Sequence, residues 1–398
     1  MIPLEEALDR IVAVLPDLGT ETVPLAEAHG RVLAAPLTAS HSQPPFDSSA
    51  MDGYAVRAGD VTPGKPLRLA GTSQAGARFV GMMEHGQCVR IFTGAPLPIG
   101  ADAVIMQEEA VVSGALISFA RRPGTGQNIR RKGNDFLEGS ELLPAGTLVT
   151  PAVLTLAAGA NRPKLQVTRK PRIAILATGD ELVPLGTQPG PDQIVASNAF
   201  GLTQLLAPYA ESVTDLGIAL DSKRAIDDAL TTAFDSGADV IVTTGGASVG
   251  DRDYVHEVLE DLRVALEFWK IAMRPGKPMM FGTRGKTLVF GLSGNPISAL
   301  VTATVVVIPA LRALTGISEP TASRFSVPLA ADLPPNGERR AFLRGRLQRN
   351  DVGFLEVMPL SESDSAHTSS FARADALIVQ LENDPGTQAG EMVEVIVL

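Results

Sequence analysis

Apolar and polar positions follow two different patterns along this chain. From about Arg172 to Leu314, short apolar strands alternate with stretches whose apolar residues recur every three or four positions, which predicts strands alternating with amphipathic helices. Ile173 to Ala177 reads as the first strand. Ser197 or Asn198 can cap a helix through Phe200, Leu202, Leu205 and Leu206, and a strand follows at Val213 to Leu216. Asp221 is placed to cap the next helix, which keeps Ile226, Leu230 and Phe234 on one face and meets Gly237 where a left-handed cap is expected. A strand at Asp239 to Thr243, a helix from Tyr254 to Leu262 and a strand near Thr287 to Gly291 continue the pattern. The apolar stretch Ile297 to Leu314 predicts a buried helix, kinked or ended near Pro309. Together these elements predict a central doubly wound α/β domain, a parallel sheet covered by helices.

Outside this stretch the periodicity breaks up. Thr20 to Gly139 is dense in Gly and Pro, with short β-branched runs at Cys88 to Phe92, Ala103 to Met106 and Leu116 to Phe119, and predicts a β-rich insertion domain. Leu142 to Lys170 is expected to return and pack beside an amphipathic helix at Met1 to Val14, since neither alone buries enough apolar surface. From about Arg324, short strands at Phe325 to Leu329, Ala341 to Leu347, Phe354 to Met358, Ala376 to Leu381 and Met392 to Val397 predict a C-terminal small β-barrel or a sandwich. The expected units are 1–19 with 140–170, 20–139, 171–318 and 319–398. The fold class is therefore a multidomain combination of α/β and β.

Composition narrows the chemistry. With 34 Lys and Arg against 44 Asp and Glu, the 398-residue chain carries a net charge of −10, which argues against nucleic acid or an anionic membrane as a partner. Any anionic ligand must find a local basic pocket. The single cysteine, Cys88, excludes an intrachain disulfide or a multi-thiolate metal site and suits a reducing, cytoplasmic setting. Met1 to Val14 carries Glu5, Glu6 and Asp9 and does not read as a secretory signal. The Ile297 to Leu314 stretch is interrupted by Ser298, Thr302, Thr304 and Pro309, so no membrane span is expected.

Three predicted strands run at their carboxyl ends into loops rich in Gly or acidic residues: Thr178 to Glu181, Thr243 to Asp251, and Gly291 to Pro296. In an open parallel sheet, ligands bind at this edge. Gly245 and Gly246, with Ser248 and Ser293 nearby, would let backbone N–H groups approach an anion, although a tight strand-to-helix turn uses the same glycines. Asp180, Glu181, Asp251 and Asp253 would repel a phosphate unless a divalent cation lay between, and Mg²⁺ suits such carboxylates. Asp251 or Asp253 could equally cap the helix beginning near Tyr254. Lys270, Arg274 and Lys277 lie in a segment stiffened by Pro275 and Pro278, a plausible oxyanion clamp in an acidic protein. Gly282 to Thr287 ends like a Walker A loop, but the first required glycine would fall at Met280, so a hairpin turn is expected. The five histidines show no metal-ligand spacing.

These residues carry a family resemblance. Pro45 to Val56, Thr93-Gly94-Ala95-Pro96, Thr178 to Glu181, Thr243 to Asp253, Arg274 to Pro278 and Gly291 to Pro296, in this order over nearly the whole chain, resemble the molybdopterin molybdenumtransferases, the family of MoeA and the gephyrin E-domain. The resemblance implies an enzyme that takes adenylylated molybdopterin and molybdate as substrates, inserts the metal and releases AMP in a Mg²⁺-dependent step. It implies a homodimer of four-domain chains with the site between subunits. By resemblance, Asp253 is the catalytic carboxylate, acting with Asp251 and Glu181, and Mg²⁺ lies near Asp180, Glu181, Asp251 and Asp253. Asp52 and Thr93 come from the β-rich region. Arg274, Lys277, Pro278 and Ser298, after Pro296, look like a molybdate or phosphate pocket, with Arg344 and Ser365 as its further wall. Asp135 and Asp221 match acidic family positions. Ser293 stands where the family usually has proline, and Arg274 where lysine is commoner, a planar fork in place of a point donor.

Two other readings stay open at this point: a non-catalytic dimeric scaffold, and a molybdopterin adenylyltransferase-like enzyme sharing a similar α/β domain. A transient complex with such an adenylyltransferase is a further expectation, because a labile intermediate favours direct transfer.

Overall fold

A computed structural model describes residues 1–246, 254–317, 321, 324–360 and 367–398. Near the N-terminus, helix α1 (Leu4–Ala13) buries Leu4, Ala7 and Ile11, one face of an amphipathic helix. Strand Thr20–Pro24 pairs antiparallel with Lys164–Thr168, and Leu37–Thr38 pairs with Glu141–Leu143, joining the two ends of the first third of the chain. Helix α2 (Pro151–Gly159) starts at Thr150, whose hydroxyl accepts the Val153 N–H, and packs Val153 and Ala157 with Val23, Leu33 and Val167. Between these pairs lies the expected β-rich region. Its six-stranded sheet includes Gly53–Val56, Gln87–Ile91 and Ala103–Met106.

The α/β unit is built on a six-stranded sheet of β1 (Arg172–Thr178), β2 (Ser212–Ala219), β3 (Val240–Thr244), β4 (Ala265–Lys270), β5 (Pro278–Arg284) and β6 (Thr287–Leu292). Their order is β2-β1-β3-β6-β5-β4. The first four strands in that order are parallel, and β5 runs antiparallel to both of its neighbours. Strand β5 turns into β6 through Gly285 at φ +60, the hairpin expected at the false Walker segment. Alternate residues serve opposite faces: Ile173, Ile175, Val240 and Val242 pack towards α1, α3 (Asn198–Leu206) and the long apolar helix, while Ala174, Leu176 and Ile241 pack towards α4 (Lys223–Asp235) and α5 (Tyr254–Asp261). That two-sided burial is the doubly wound arrangement.

Several local expectations need correction. The α4 cap is Ser222, whose hydroxyl accepts the Ala225 N–H at 3.3 Å, while the Asp221 N–H donates to Asp180 at 3.0 Å. The apolar helix α6 (Pro296–Leu314) does not stop at Pro309. A π-helical stretch at Ala303–Val307 precedes the proline, which has no N–H and whose ring would crowd the Val305 carbonyl in regular α geometry. By length and composition α6 could cross a membrane, contrary to the expectation from its polar interruptions, but 83% of that window is buried inside the protein. It is the central core helix of the α/β unit. Helix α1 also packs differently from expectation. Its buried face shares a core with Ile173, Val301 and Leu311, whereas the 140–168 segment packs against residues 20–38.

The C-terminal strands all form: Arg324–Pro328, Arg340–Arg349, Leu355–Pro359, Ala376–Gln380 and Met392–Val397. They make a curled sheet, and an isolated bridge between Leu329 and Val357 brings its two ends together. One strand comes from elsewhere. Met273–Arg274, in the basic segment after β4, pairs parallel with Arg340 and Ala341. The basic segment therefore bridges the α/β unit and the C-terminal sheet.

Candidate active site

Strands β1, β3 and β6 end in register, Ala177 beside Thr244 and Thr244 beside Leu292, so their following loops leave one sheet edge together. Close backbone approach there requires glycine. A Cβ on Gly245, at φ +94, would lie 2.3 Å from the Thr178 carbonyl oxygen. Gly294 packs directly against Gly245, and Gly246 also has a positive φ of 59. The Gly294 carbonyl accepts a hydrogen bond from the Asn198 side chain at 2.8 Å. The Ser293 hydroxyl accepts the Asn295 N–H at 3.2 Å, so its oxygen shapes the turn into Pro296, the first residue of α6.

Glu181 lines a small cleft of about 40 Å³ at this edge with Thr178, Asn198, Thr244, Gly294 and Pro296. Asp180 ties the β1 loop to the β2 loop through its bond from Asp221. Thr178 Oγ1, Thr243 Oγ1 and Asn295 Oδ1 are buried without a hydrogen-bond partner among the described residues. Buried polar atoms are seldom left so. Among the described residues no three His, Cys, Asp or Glu side chains gather into a metal cluster. The groups at this edge are nonetheless carboxylate, hydroxyl and amide oxygens, the hard donors that suit Mg²⁺ and not a thiolate-bound metal. Ser248, Asp251 and Asp253 lie outside the described residues, as does Ser365.

The basic segment builds a larger cleft. Gly276, at φ +106, brings its backbone so close to α6 that a Cβ would lie 2.3 Å from Thr302 Oγ1. That approach sets Arg274, Lys277 and Pro278 beside Ser298, on the first turn of α6, and Arg344, on the C-terminal strand Arg340–Arg349. These five expected residues line one cleft of about 870 Å³, which also has apolar walls at Leu333, Phe342, Leu343 and Leu360. Ser298 and Arg344 are buried, whereas the Arg274 and Lys277 side chains reach solvent. Lys270 is elsewhere: it ends β4, pairs with Pro278 in the sheet and lines neither cleft.

Asp52 and Thr93 meet each other on the β-rich sheet. One Asp52 oxygen accepts both the Thr93 N–H at 2.7 Å and its hydroxyl at 2.8 Å, and these bonds, with Arg90 nearby, hold the Asp52 carboxyl below its ordinary range. Neither residue lines the clefts at the α/β edge. Asp135 is held through its backbone, its N–H donating to the Gln43 carbonyl at 2.9 Å.

Three polar residues of the large cleft escaped the sequence reading: Asp332, Arg339 and Gln380. Arg339 had a signal, the Gly337-Glu338-Arg339-Arg340 turn before a strand. Nothing in the sequence around Asp332 or Gln380 sets them apart from other polar residues of loops and strands, although Gln380 is buried in the structure.

Comparison with known proteins matches this architecture from end to end. Residues 2–160 match the family described as "MoeA N-terminal region (domain I and II)", residues 174–313 a "Probable molybdopterin binding domain", and residues 326–398 the "MoeA C-terminal region (domain IV)". A molybdopterin molybdenumtransferase of Haemophilus influenzae is 36% identical over 398 residues, covering 99% of this chain and 98% of the relative. The chain belongs to the MoeA family. A second relative of the same name, from Nostoc, is 35% identical and covers 95% of this chain and 89% of its own length. A solved MoeA protein from Pyrococcus horikoshii OT3 superposes with a TM-score of 0.86 at 28% identity, covering 100% of both chains. The family and the multidomain fold inferred from the motifs are therefore borne out. At the level of the family, the chain is a transferase of molybdenum cofactor biosynthesis.

Proposed function

We propose that this MoeA-family chain inserts molybdate into adenylylated molybdopterin and releases AMP in a Mg²⁺-dependent step. The observation that supports it best is the meeting of Arg274, Lys277, Pro278, Ser298 and Arg344 around one cleft, although they come from three separate segments of the chain. Molybdate is a tetrahedral dianion. Arg274 and Lys277 offer it positive charge at the mouth, the Ser298 hydroxyl can donate a hydrogen bond, and buried Arg344 supplies charge from a low-dielectric wall where each interaction is stronger. The apolar walls suit the organic part of the other substrate.

Asp180 and Glu181, with Asp251 and Asp253, would hold Mg²⁺ at the neighbouring sheet edge. Bound there, the ion would offset the repulsion between those carboxylates and the substrate phosphates. Asp253 is the proposed catalytic carboxylate, with Asp251 and Glu181 supporting it. Asp52 and Thr93 lie on a different sheet, so their part in the site fits a homodimer in which they face the partner's cleft. A cytoplasmic location and transient delivery of substrate by a molybdopterin adenylyltransferase belong to the same proposal.

AMP release from adenylylated molybdopterin, measured with Mg²⁺ and with or without molybdate, tests this reading beside an Asp253→Asn variant. Molybdate-dependent release by the wild type, lost in the variant, is the expected result. No release by the wild type would overturn it in favour of a non-catalytic scaffold.

A further inference from the structure

A second, smaller cleft of about 350 Å³ opens beside the large one, lined by Met1, Asn336, Gly337 and Glu338. Arg274, Lys277 and Arg339 line both clefts and so stand at their junction. None of these three cations has a hydrogen-bonding or ion-pair partner for its side chain among the described residues. Neighbouring Arg340 shows the contrast, being tied to both Glu5 and Glu382. Glu338, the carboxylate lining the small cleft, pairs with none of the three. In a chain with a net charge of −10, three converging cations that form no ion pair, against two carboxylates in the same clefts, Glu338 and Asp332, leave a local excess of positive charge.

We propose that Arg339, with Arg274 and Lys277, forms a second oxyanion subsite at this junction, which takes the phosphate ester of an organic substrate. The small cleft has room for a phosphate group, and the organic portion would extend along the apolar wall of Leu333, Phe342, Leu343 and Leu360 in the large cleft. Arg339 is the specificity-determining member. Its planar fork can hold two oxygens of a tetrahedral anion through parallel bonds from two nitrogens, a fixed geometry that a lysine's single rotating ammonium does not offer. The inference deepens the proposed reaction and rests on it for the identity of the organic portion: the ester phosphate takes the small-cleft side of Arg274 and Lys277, while their large-cleft side, with Ser298 and Arg344, holds the free oxyanion.

The test is calorimetric binding of AMP, adenosine, inorganic phosphate and molybdate to the full chain, as wild type, Arg339→Gln and Arg339→Lys. Loss of one charge-assisted contact predicts AMP and inorganic phosphate binding weakened about tenfold or more in Arg339→Gln, with partial recovery in Arg339→Lys. Adenosine and molybdate affinities should change less than about twofold, and the salt dependence of AMP binding should fall. Equal AMP affinity in wild type and Arg339→Gln, in variants with unchanged melting temperature, would overturn the subsite. If molybdate weakens as much as AMP, the junction serves a free oxyanion and the ester assignment fails. Wild-type AMP release separates the two claims: release unaffected by Arg339→Gln refutes the subsite alone, while Arg339-dependent phosphate binding without release refutes the reaction alone.

Discussion

At the residue scale, the large cleft depends on a side chain that is missing. Gly276 combines a φ of +106 with a contact that leaves no room for a methyl group above Thr302 Oγ1. Gly276→Ala should therefore cost about 1–3 kcal/mol from backbone strain and also push Arg274 and Lys277 out of position. Thermal melting and molybdate titration together check this: a lowered melting temperature with weakened molybdate binding is expected, and unchanged binding would contradict the positioning role. Removing the Thr302 hydroxyl in the same molecule should restore part of the loss, since it relieves the clash but leaves the strained φ. The basic residues were legible as candidates because Pro275 and Pro278 flank them. The reason that Gly276 cannot be replaced was not, because it lies in α6, more than a helix turn of chain removed and visible only once the segment is packed.

At the element scale, the sheet edge is held in register partly by polar anchoring at the opposite end of its strands. Asp239, just before β3, accepts two bonds from Arg169 at 2.7 and 3.0 Å and the Arg172 N–H at 2.7 Å. Burial raises the Asp239 carboxyl, but these bonds and charges outweigh it and hold the group below the ordinary carboxylate range. Because the folded value is depressed, the stabilisation is complete above the unfolded value of about 3.9 and is lost as pH falls through the folded one. Asp239→Asn should thus lower stability by about 2–3 kcal/mol at pH 7 and make little difference once wild-type Asp239 is itself protonated. Denaturant midpoints across pH measure it; a constant difference down to pH 2 would contradict the account. The strands of this sheet were readable because residues such as Ile173 and Ile175 alternate with Ala174 and Leu176 on a period of two. Strands β4 and β5 were not identified, since Ala265–Lys270 mixes Glu267 and Lys270 into its apolar run and Pro278–Arg284 contains Gly282.

At the scale of the whole molecule, distant segments of chain are stitched around the cleft. Helix α1 belongs to the same core as α6, Ile2 bridges Ile271, and Glu5 pairs with Arg340 at the start of the C-terminal strand. These pairings join positions hundreds of residues apart, and no local periodicity encodes them; the expected packing of α1 beside the 142–170 segment failed for that reason. Ile11, fully buried in this shared core, provides a test. Ile11→Ala should cost about 2–5 kcal/mol and loosen the junction, seen as faster hydrogen exchange in both the α/β unit and Met273–Arg274. Faster exchange confined to α1 would show that the helix is not integral to the junction. Motif order across the full chain, in contrast, was legible without any packing information, because six loop motifs in sequence are far more specific than one.

Central to the proposed function is molybdate bound in the large cleft, among Lys277, Ser298 and Arg344. The most direct measurement is the molybdate dependence of AMP release from adenylylated molybdopterin by wild type and Lys277→Ala under identical Mg²⁺. The account predicts release that requires molybdate and a KM for molybdate raised about tenfold or more in the variant, reflecting one lost charge-assisted contact. AMP release that proceeds equally without molybdate, or a molybdate KM unchanged by Lys277→Ala, would contradict it.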